Sequence, residues 1–272
     1  MRISLTLAIV ACLPLLSHAA EPLIVAHRGA SKAAPENTLP AFRLAWKLGA
    51  DAIEGDFHLT KDKRIVCIHD ADTKKVSSRN LVVSRSTLAE LKELDVGSFH
   101  GEKFKGTRVP TLSEVVATVP DGKQIFIEIK CGPEIVPFLL KQLEASSLRH
   151  EQIVIISFKE EVIRQVKSQS PEYEAFWLCA FKTDKEGAVK PGVDEVLQKL
   201  AAIGADGLSS NSRIAESFIE AVKAKGYQWH VWTVDDPDEA RRMESLGVES
   251  ITTNVPGLIR QSLTEAAGAS GR

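Results

Sequence analysis

Cysteine is scarce in this chain. Of 272 residues only Cys12, Cys67, Cys131 and Cys179 are cysteine, and Cys12 falls in the first apolar stretch. The other three cannot all pair with one another, and their spacings match no zinc site, so a disulfide scaffold and a zinc module are excluded. One bridge is possible in an oxidising compartment, but Cys67 and Cys179 sit in apolar runs and read as buried thiols. A basic excess is missing as well. Lys and Arg number 34 against 36 Asp and Glu, a net charge of -2. No nucleic-acid partner is expected from that balance, and an anionic substrate has to be held by local charge, by a metal, or by both. Aromatics are few, at 6%, while 26% charged and 44% hydrophobic residues exclude disorder and fibrous classes. Beyond the N-terminus no run is long and apolar enough for a stable membrane span.

What the chain has is, first, a leader. Arg2 precedes the apolar run Ile3–Leu16, and Ser17-His18-Ala19 supplies small residues for cleavage after Ala19 or Ala20. Residues 1–19 therefore read as a signal peptide, and the protein is expected to be exported, either periplasmic or secreted. Ile9-Val10-Ala11-Cys12 resembles a lipobox, but anchoring at Cys12 would leave a very short apolar region and is the lesser reading.

The mature chain alternates. Short β-rich runs at Leu23–Ala26, Ala52–Phe57, Ile125–Ile129, Ile153–Ser157, Glu174–Cys179, Gly207–Ser210, Gln228–Val234 and Ser250–Thr253 are separated by amphipathic stretches. Eight such βα units predict one TIM-type (β/α)8 barrel over residues 20–263. Arg64–His69 follows the second strand after Thr60-Lys61-Asp62-Lys63 and predicts a hairpin partner rather than a barrel strand. Residues 72–110 break the rhythm and predict a small insertion with a short helix near Ser86–Leu94, at the rim or lid position. Thr38 before Pro40, Thr111 with Glu114, and Asp236 with Glu239 mark helix starts, and 264–272 reads as a flexible tail.

Chemistry concentrates at strand ends. Glu54 and Asp56 alternate onto one face of the second strand, and two carboxylates so close need a cation between them. A lone E-x-D is more often a pair of solvated acids. The next barrel strand carries Glu128 near its carboxyl end, and three carboxylates make a site for Mg²⁺ or Ca²⁺. His27 and His69 each follow an apolar strand and are candidate general acid/base groups. Arg28 suits a phosphate, with a salt bridge to Glu36 as the bland alternative; Lys130 shares the face of Glu128 and could meet a phosphate oxygen or simply pair with it. Trp232 is read as a pocket wall, whereas His230 and His58 are read as structural or surface residues.

Taken in order, His27-Arg28-Gly29, Pro35-Glu36-Asn37-Thr38, Gly49-Ala50-Asp51, Glu54-x-Asp56, Thr60-Lys61-Asp62, His69-Asp70, Pro110-Thr111-Leu112, Glu128-Ile129-Lys130 and Trp232-Thr233 resemble the glycerophosphodiester phosphodiesterase family, from about Leu23 to Leu258. The resemblance implies hydrolysis of glycerophosphodiesters to glycerol 3-phosphate and an alcohol. It implies one divalent metal on Glu54, Asp56 and Glu128, acid/base catalysis by His27 and His69, and attack by the substrate's own glycerol hydroxyl through a cyclic phosphate. Three positions depart from the pattern: Gly55 replaces a bulky apolar residue, which predicts a looser strand; Lys63 replaces a hairpin glycine; Asn254 replaces a common aspartate. The alternatives are a phospholipase D-like or lyase activity on intact phospholipids and a non-catalytic secreted binding protein. A barrel amidohydrolase is disfavoured because the first strand ends without His-x-His. The alcohol, the metal, the histidine roles and the oligomeric state stay open at this stage.

Overall fold

The computed structural model of the protein describes residues 21–270. The stretch expected to be a signal peptide, with Cys12, lies outside the described residues. Chain order is β1 (Leu23–Ala26), α1 (Leu39–Lys47), β2 (Ala52–Leu59), β3 (Ile65–Cys67), α2 (Leu88–Lys92), α3 (Leu112–Val116), β4 (Gln124–Ile129), α4 (Val136–Glu144), β5 (Ile153–Ser157), α5 (Glu160–Gln169), β6 (Glu174–Cys179), a two-stranded ribbon of β7 (Lys182–Thr183) and β8 (Val189–Lys190), α6 (Val193–Ile203), β9 (Gly207–Ser210), α7 (Glu216–Ala224), β10 (Gln228–Val231), α8 (Pro237–Ser245), β11 (Ser250–Thr253) and α9 (Pro256–Ser270).

The strands β1, β2, β4, β5, β6, β9, β10 and β11 are all parallel, and pairing of β1 with both β11 and β2 closes them into an eight-stranded barrel. The strand sequences explain why. Outward residues such as Ile53, Phe57, Ile125, Ile127, Ile155 and Leu208 join one continuous apolar layer beneath the helices. Inward residues Val25, Ala52, Phe126, Val154, Ile156, Phe176 and Leu178 fill the barrel itself. Helix starts are capped as the sequence predicts. Thr38 accepts from the Ala41 amide ahead of α1, and Thr111 and Glu114 form a reciprocal capping box on α3. Asp236 caps α8, but Glu239 turns to Arg242 instead of completing a box.

β3 runs antiparallel to the projecting end of β2, pairing Phe57 with Cys67 and Leu59 with Ile65. The insertion after it carries its own apolar cluster of Val76, Val83, Leu91, Leu94, Val96 and Val109 against Val66 and Ile68. It is thus a packed lobe beside β3, and its α2 starts at a full capping box on Thr87.

Three expectations are corrected. The last helix runs to Ser270, through the stretch expected to be a flexible tail from 264. β10 stops at Val231 instead of Val234, although Val234 N still donates to Thr252 O at 3.0 Å. Gly55 does not loosen β2, which is continuous and buried along all of Ala52–Leu59, because the rings of Phe42 and Phe57 and the thiol of Cys67 take up the missing side-chain volume. As the sequence reads, Cys67 and Cys179 are buried free thiols; Cys131 is a half-buried free thiol, and no bridge joins the described cysteines. Among the described residues no helix is long and apolar enough to cross a membrane.

Candidate active site at the carboxyl ends of the strands

Parallel register places the acids. Asp56 on β2 stands directly beside Glu128 on β4, and Glu54 lies one pleat below on the same face. The three buried carboxylates each offer an oxygen, and these oxygens lie within 4.8 Å of one another. Burial and then the neighbouring Asp56 and Glu128 charges raise the Glu54 carboxyl well above its usual range. Glu128 is pushed up to about 7, by burial first and Asp56 second. At Asp56 burial acts in the same direction, but Arg28 and Lys130 outweigh it and hold the group below the usual carboxylate range.

The cations of the chain only partly meet this charge. Arg28 Nε is 3.2 Å from Asp56 Oδ2, and Lys130 Nζ is 2.6 Å from Glu128 Oε1 and 3.3 Å from Asp56 Oδ1. Glu54 Oε2 accepts from the Arg28 amide at 2.8 Å, whereas Glu54 Oε1 is buried with no hydrogen-bond donor. An acceptor-only oxygen left bare among three carboxylates fits a hard divalent cation. Arg28 also pairs with Glu36 at 3.2 Å, so the bland sequence reading of a salt bridge to Glu36 holds here together with a place at the pocket.

The histidines stand around the acids. His27 follows β1, and its Nδ1 lies 2.8 Å from Asn254 Oδ1. Burial, then Arg28, lowers its pKa, against which the Asn254 hydrogen bond acts. His69 follows β3, with Nδ1 2.6 Å from Asp70 Oδ1. His27, Arg28, Glu54, His69, Glu128 and Lys130 line one side of a cavity of about 230 Å³. The other side is apolar, formed by Ile156, Phe158, Leu178 and Trp232, with the rings of Phe158 and Trp232 edge to face at 5.6 Å. A larger cavity of about 530 Å³ lies outside the barrel between α3 and α4 and shares none of these residues. Chemistry, not size, therefore picks out the smaller one.

All eight sequence candidates thus gather at one end of the barrel: seven line the cavity, and Asp56 lies beneath it in contact with Arg28 and Lys130. His230 and His58 take the structural roles expected of them. His230 is buried in the barrel against the Phe176 ring at 4.1 Å, and His58 Nε2 reaches the His69 carbonyl at 3.1 Å. Three contributors are not placed at the site by the sequence reading, although Asn37 belongs to the Pro35-Glu36-Asn37-Thr38 motif and Asn254 is one of the three departures from the family pattern. Asn37, with a left-handed φ of 58°, donates Nδ2 to Asp56 Oδ2 at 2.7 Å and accepts from the Asp56 amide at 3.0 Å. Phe158, just past β5, forms the apolar wall. Asn254 touches His27. Phe158 carried a signal of its own, its place one residue beyond a barrel strand.

The family model of the glycerophosphoryl diester phosphodiesterase family matches residues 27–258. A glycerophosphodiester phosphodiesterase of Caldanaerobacter subterraneus subsp. tengcongensis is 36% identical over 239 residues, covering 86% of this chain and 94% of its own. A glycerophosphodiester phosphodiesterase of Bacillus subtilis is 28% identical over 256 residues, covering 88% and 85%. A solved glycerophosphodiester phosphodiesterase structure from Agrobacterium tumefaciens is similar at a TM-score of 0.72 and 26% identity, covering 88% of this chain and 98% of that one.

Proposed function

Because the chain belongs to the glycerophosphoryl diester phosphodiesterase family and is a phosphoric diester hydrolase, we propose that it cleaves glycerophosphodiesters by histidine acid/base catalysis at a metal held by Glu54, Asp56 and Glu128. One observation carries this reading: the three carboxylate oxygens within 4.8 Å sit beneath the cavity that His27 and His69 line. Glu54, Asp56 and Glu128 would hold a divalent cation, Mg²⁺ or Ca²⁺, which when bound would offset the negative charge of the phosphoryl oxygens and of the three carboxylates.

The protein's own groups do the rest. Arg28 and Lys130 face the phosphate and share its charge with the acids they already pair. One imidazole takes the proton of a free glycerol hydroxyl as its oxygen bonds to phosphorus, and the other gives a proton to the departing alcohol oxygen as that P–O bond breaks. Water then opens the cyclic phosphate with the two roles reversed, leaving glycerol 3-phosphate. The wall of Phe158 and Trp232 shields the apolar part of the substrate from water. A cavity of about 230 Å³ favours a deacylated headgroup over a two-chain lipid, which sets the phospholipase D-like reading behind this one.

The experiment is hydrolysis of glycerophosphocholine with added Mg²⁺ or Ca²⁺, then with chelator. Turnover that needs the metal and is lost in Glu54→Ala and His27→Ala is expected; full activity in either variant overturns the assignment. Ligand binding without turnover under any metal would instead support a binding protein.

A further inference from the structure

His27 is not held by a charged group. Its Nδ1 meets the side-chain amide of Asn254, which is in turn gripped by Asp235 on the β10–α8 connection. Asn254 Nδ2 donates to Asp235 Oδ2 at 2.7 Å, and the Asn254 backbone amide donates to Asp235 Oδ1 at 2.8 Å. Thr253 Oγ1 donates to the same Oδ1 at 2.9 Å, so three donors fix this carboxylate although it stands at the surface.

The chemistry of these groups sets directions that distances alone do not. An ionised carboxylate only accepts, so the NH₂ of Asn254 has to face Asp235. The Asn254 carbonyl is thereby turned toward His27 at 2.8 Å, and the Ser31 hydroxyl donates to the same oxygen at 2.8 Å. A carbonyl oxygen also only accepts, so the hydrogen on the facing His27 nitrogen must be on Nδ1. The other nitrogen, Nε2, is then the one with a lone pair to offer. The backbone holds the same frame, since His27 N donates to Thr253 O at 2.8 Å.

We propose that Asn254, oriented by Asp235, is a positioning residue that locks His27 in the Nδ1–H tautomer, so that Nε2 exchanges protons with the substrate. The proposal deepens the acid/base reading of His27 and rests on it. Asp235 touches neither His27 nor the cavity lining; it acts only by forbidding the Asn254 amide to turn over. A turned amide would point NH₂ at Nδ1, and the imidazole would then carry its hydrogen on the wrong nitrogen.

The test combines the imidazole spectrum with kinetics on the full protein loaded with Mg²⁺ or Ca²⁺. Nitrogen-15 spectra of wild type, with His27 assigned by its loss in His27→Gln, are expected to show a pyrrole-type Nδ1 and a pyridine-type Nε2 in the neutral ring. Asn254→Ala is expected to mix the tautomers and to lower kcat by about 10- to 100-fold with KM changed less than about threefold. Asn254→Asp alone sets two carboxylates against each other and is expected to lose activity as well. The exchanged pair Asn254→Asp with Asp235→Asn restores an amide donor facing an acceptor that faces His27, and is expected to recover most of that loss and the wild-type tautomer. An unchanged ring spectrum and kcat in Asn254→Ala overturn the proposal, as does an exchanged pair no better than Asn254→Asp alone. If wild type hydrolyses no glycerophosphodiester, the acid/base reading falls, and the ring spectrum still decides the tautomer.

Discussion

His58 Nε2 lies 3.1 Å from the backbone carbonyl oxygen of His69, which ties the end of β2 to the turn that carries a candidate catalytic side chain. A carbonyl only accepts, so His58 donates with Nε2 protonated. Its ring is nearly buried, and burial first lowers its pKa, which suits a neutral donor. A histidine read as structural thus holds the candidate acid/base histidine, since His69 follows β3 and has no strand of its own beyond Cys67. His58→Ala is expected to lose about 1 kcal/mol of stability and to lower kcat more than it raises KM. Urea unfolding and steady-state kinetics check both; an unchanged kcat would show that the hydrogen bond does not position His69.

Glu128 holds a proton up to about pH 7 against an ordinary value of 4.5, through burial and Asp56. In the metal-free protein the folded state therefore binds a proton that the unfolded chain lacks in this window, and stability from this group falls as pH rises through it. A cation bound to the carboxylates displaces that proton. Calorimetric titration with Ca²⁺ or Mg²⁺ in buffers of different ionisation enthalpy is expected to show protons released from the raised carboxyls Glu128 and Glu54, more per ion at pH 6.5 than at pH 8.5. Equal release at both pH values contradicts the coupling.

Gly55 is the small residue in a crowded place. A Cβ there would lie 3.1 Å from Cys67 Sγ, 3.2 Å from Phe42 Cζ and 3.3 Å from Phe57 Cε2. Gly55→Ile is expected to cost about 1–3 kcal/mol through overpacking, and Gly55→Ile with Phe42→Leu to regain part of it. Chemical denaturation of the two variants measures this; equal stability of wild type and Gly55→Ile would mean the surroundings yield freely.

Lys63 adopts φ of 60° in the β2–β3 turn, in the left-handed region where a Cβ is strained. Lys63→Gly is expected to stabilise the fold by a few tenths to about 1 kcal/mol, glycine's greater freedom in the unfolded chain offsetting part of the relief. A lower melting temperature in the variant would contradict it.

His230 has its pKa depressed to about 3 by burial. Below pH 6.5 the unfolded chain takes up a proton that the folded ring refuses, so stability falls as pH falls from about 6.5 toward 3, at about 1.4 kcal/mol per pH unit at full slope. His230→Phe is expected to remove this slope and so to gain about 2 kcal/mol on wild type between pH 7 and pH 5. Urea unfolding at the two pH values compares them, His27 and His58 keeping their own smaller contributions.

Much of the barrel was legible because each strand had to satisfy two apolar surfaces. Ile125, Ile127 and Ile129 face the helices while Phe126 faces the barrel, and only a buried parallel strand needs such a run. The metal candidates were legible for a related reason: in Ala52–Leu59 the period of two leaves Glu54 and Asp56 as carboxylates in a strand otherwise fit for burial. The helix caps were equally local, written in Thr38, Thr111 and Asp236. The end of α9 was not, since its small polar residues leave no apolar stripe to count.

By itself, then, the sequence determined which residues carry charge and titrate, how each strand's faces divide, and the order in which these pieces come; all of that follows from spacings of a few residues. Tertiary structure alone decided who meets whom. Asn37 reaches Asp56 across 19 positions and Asn254 reaches His27 across 227, and closure of β1 against β11 brings the last pair together. A hydrogen bond between such distant positions leaves no periodic trace in the chain, because its geometry exists only once the barrel has closed.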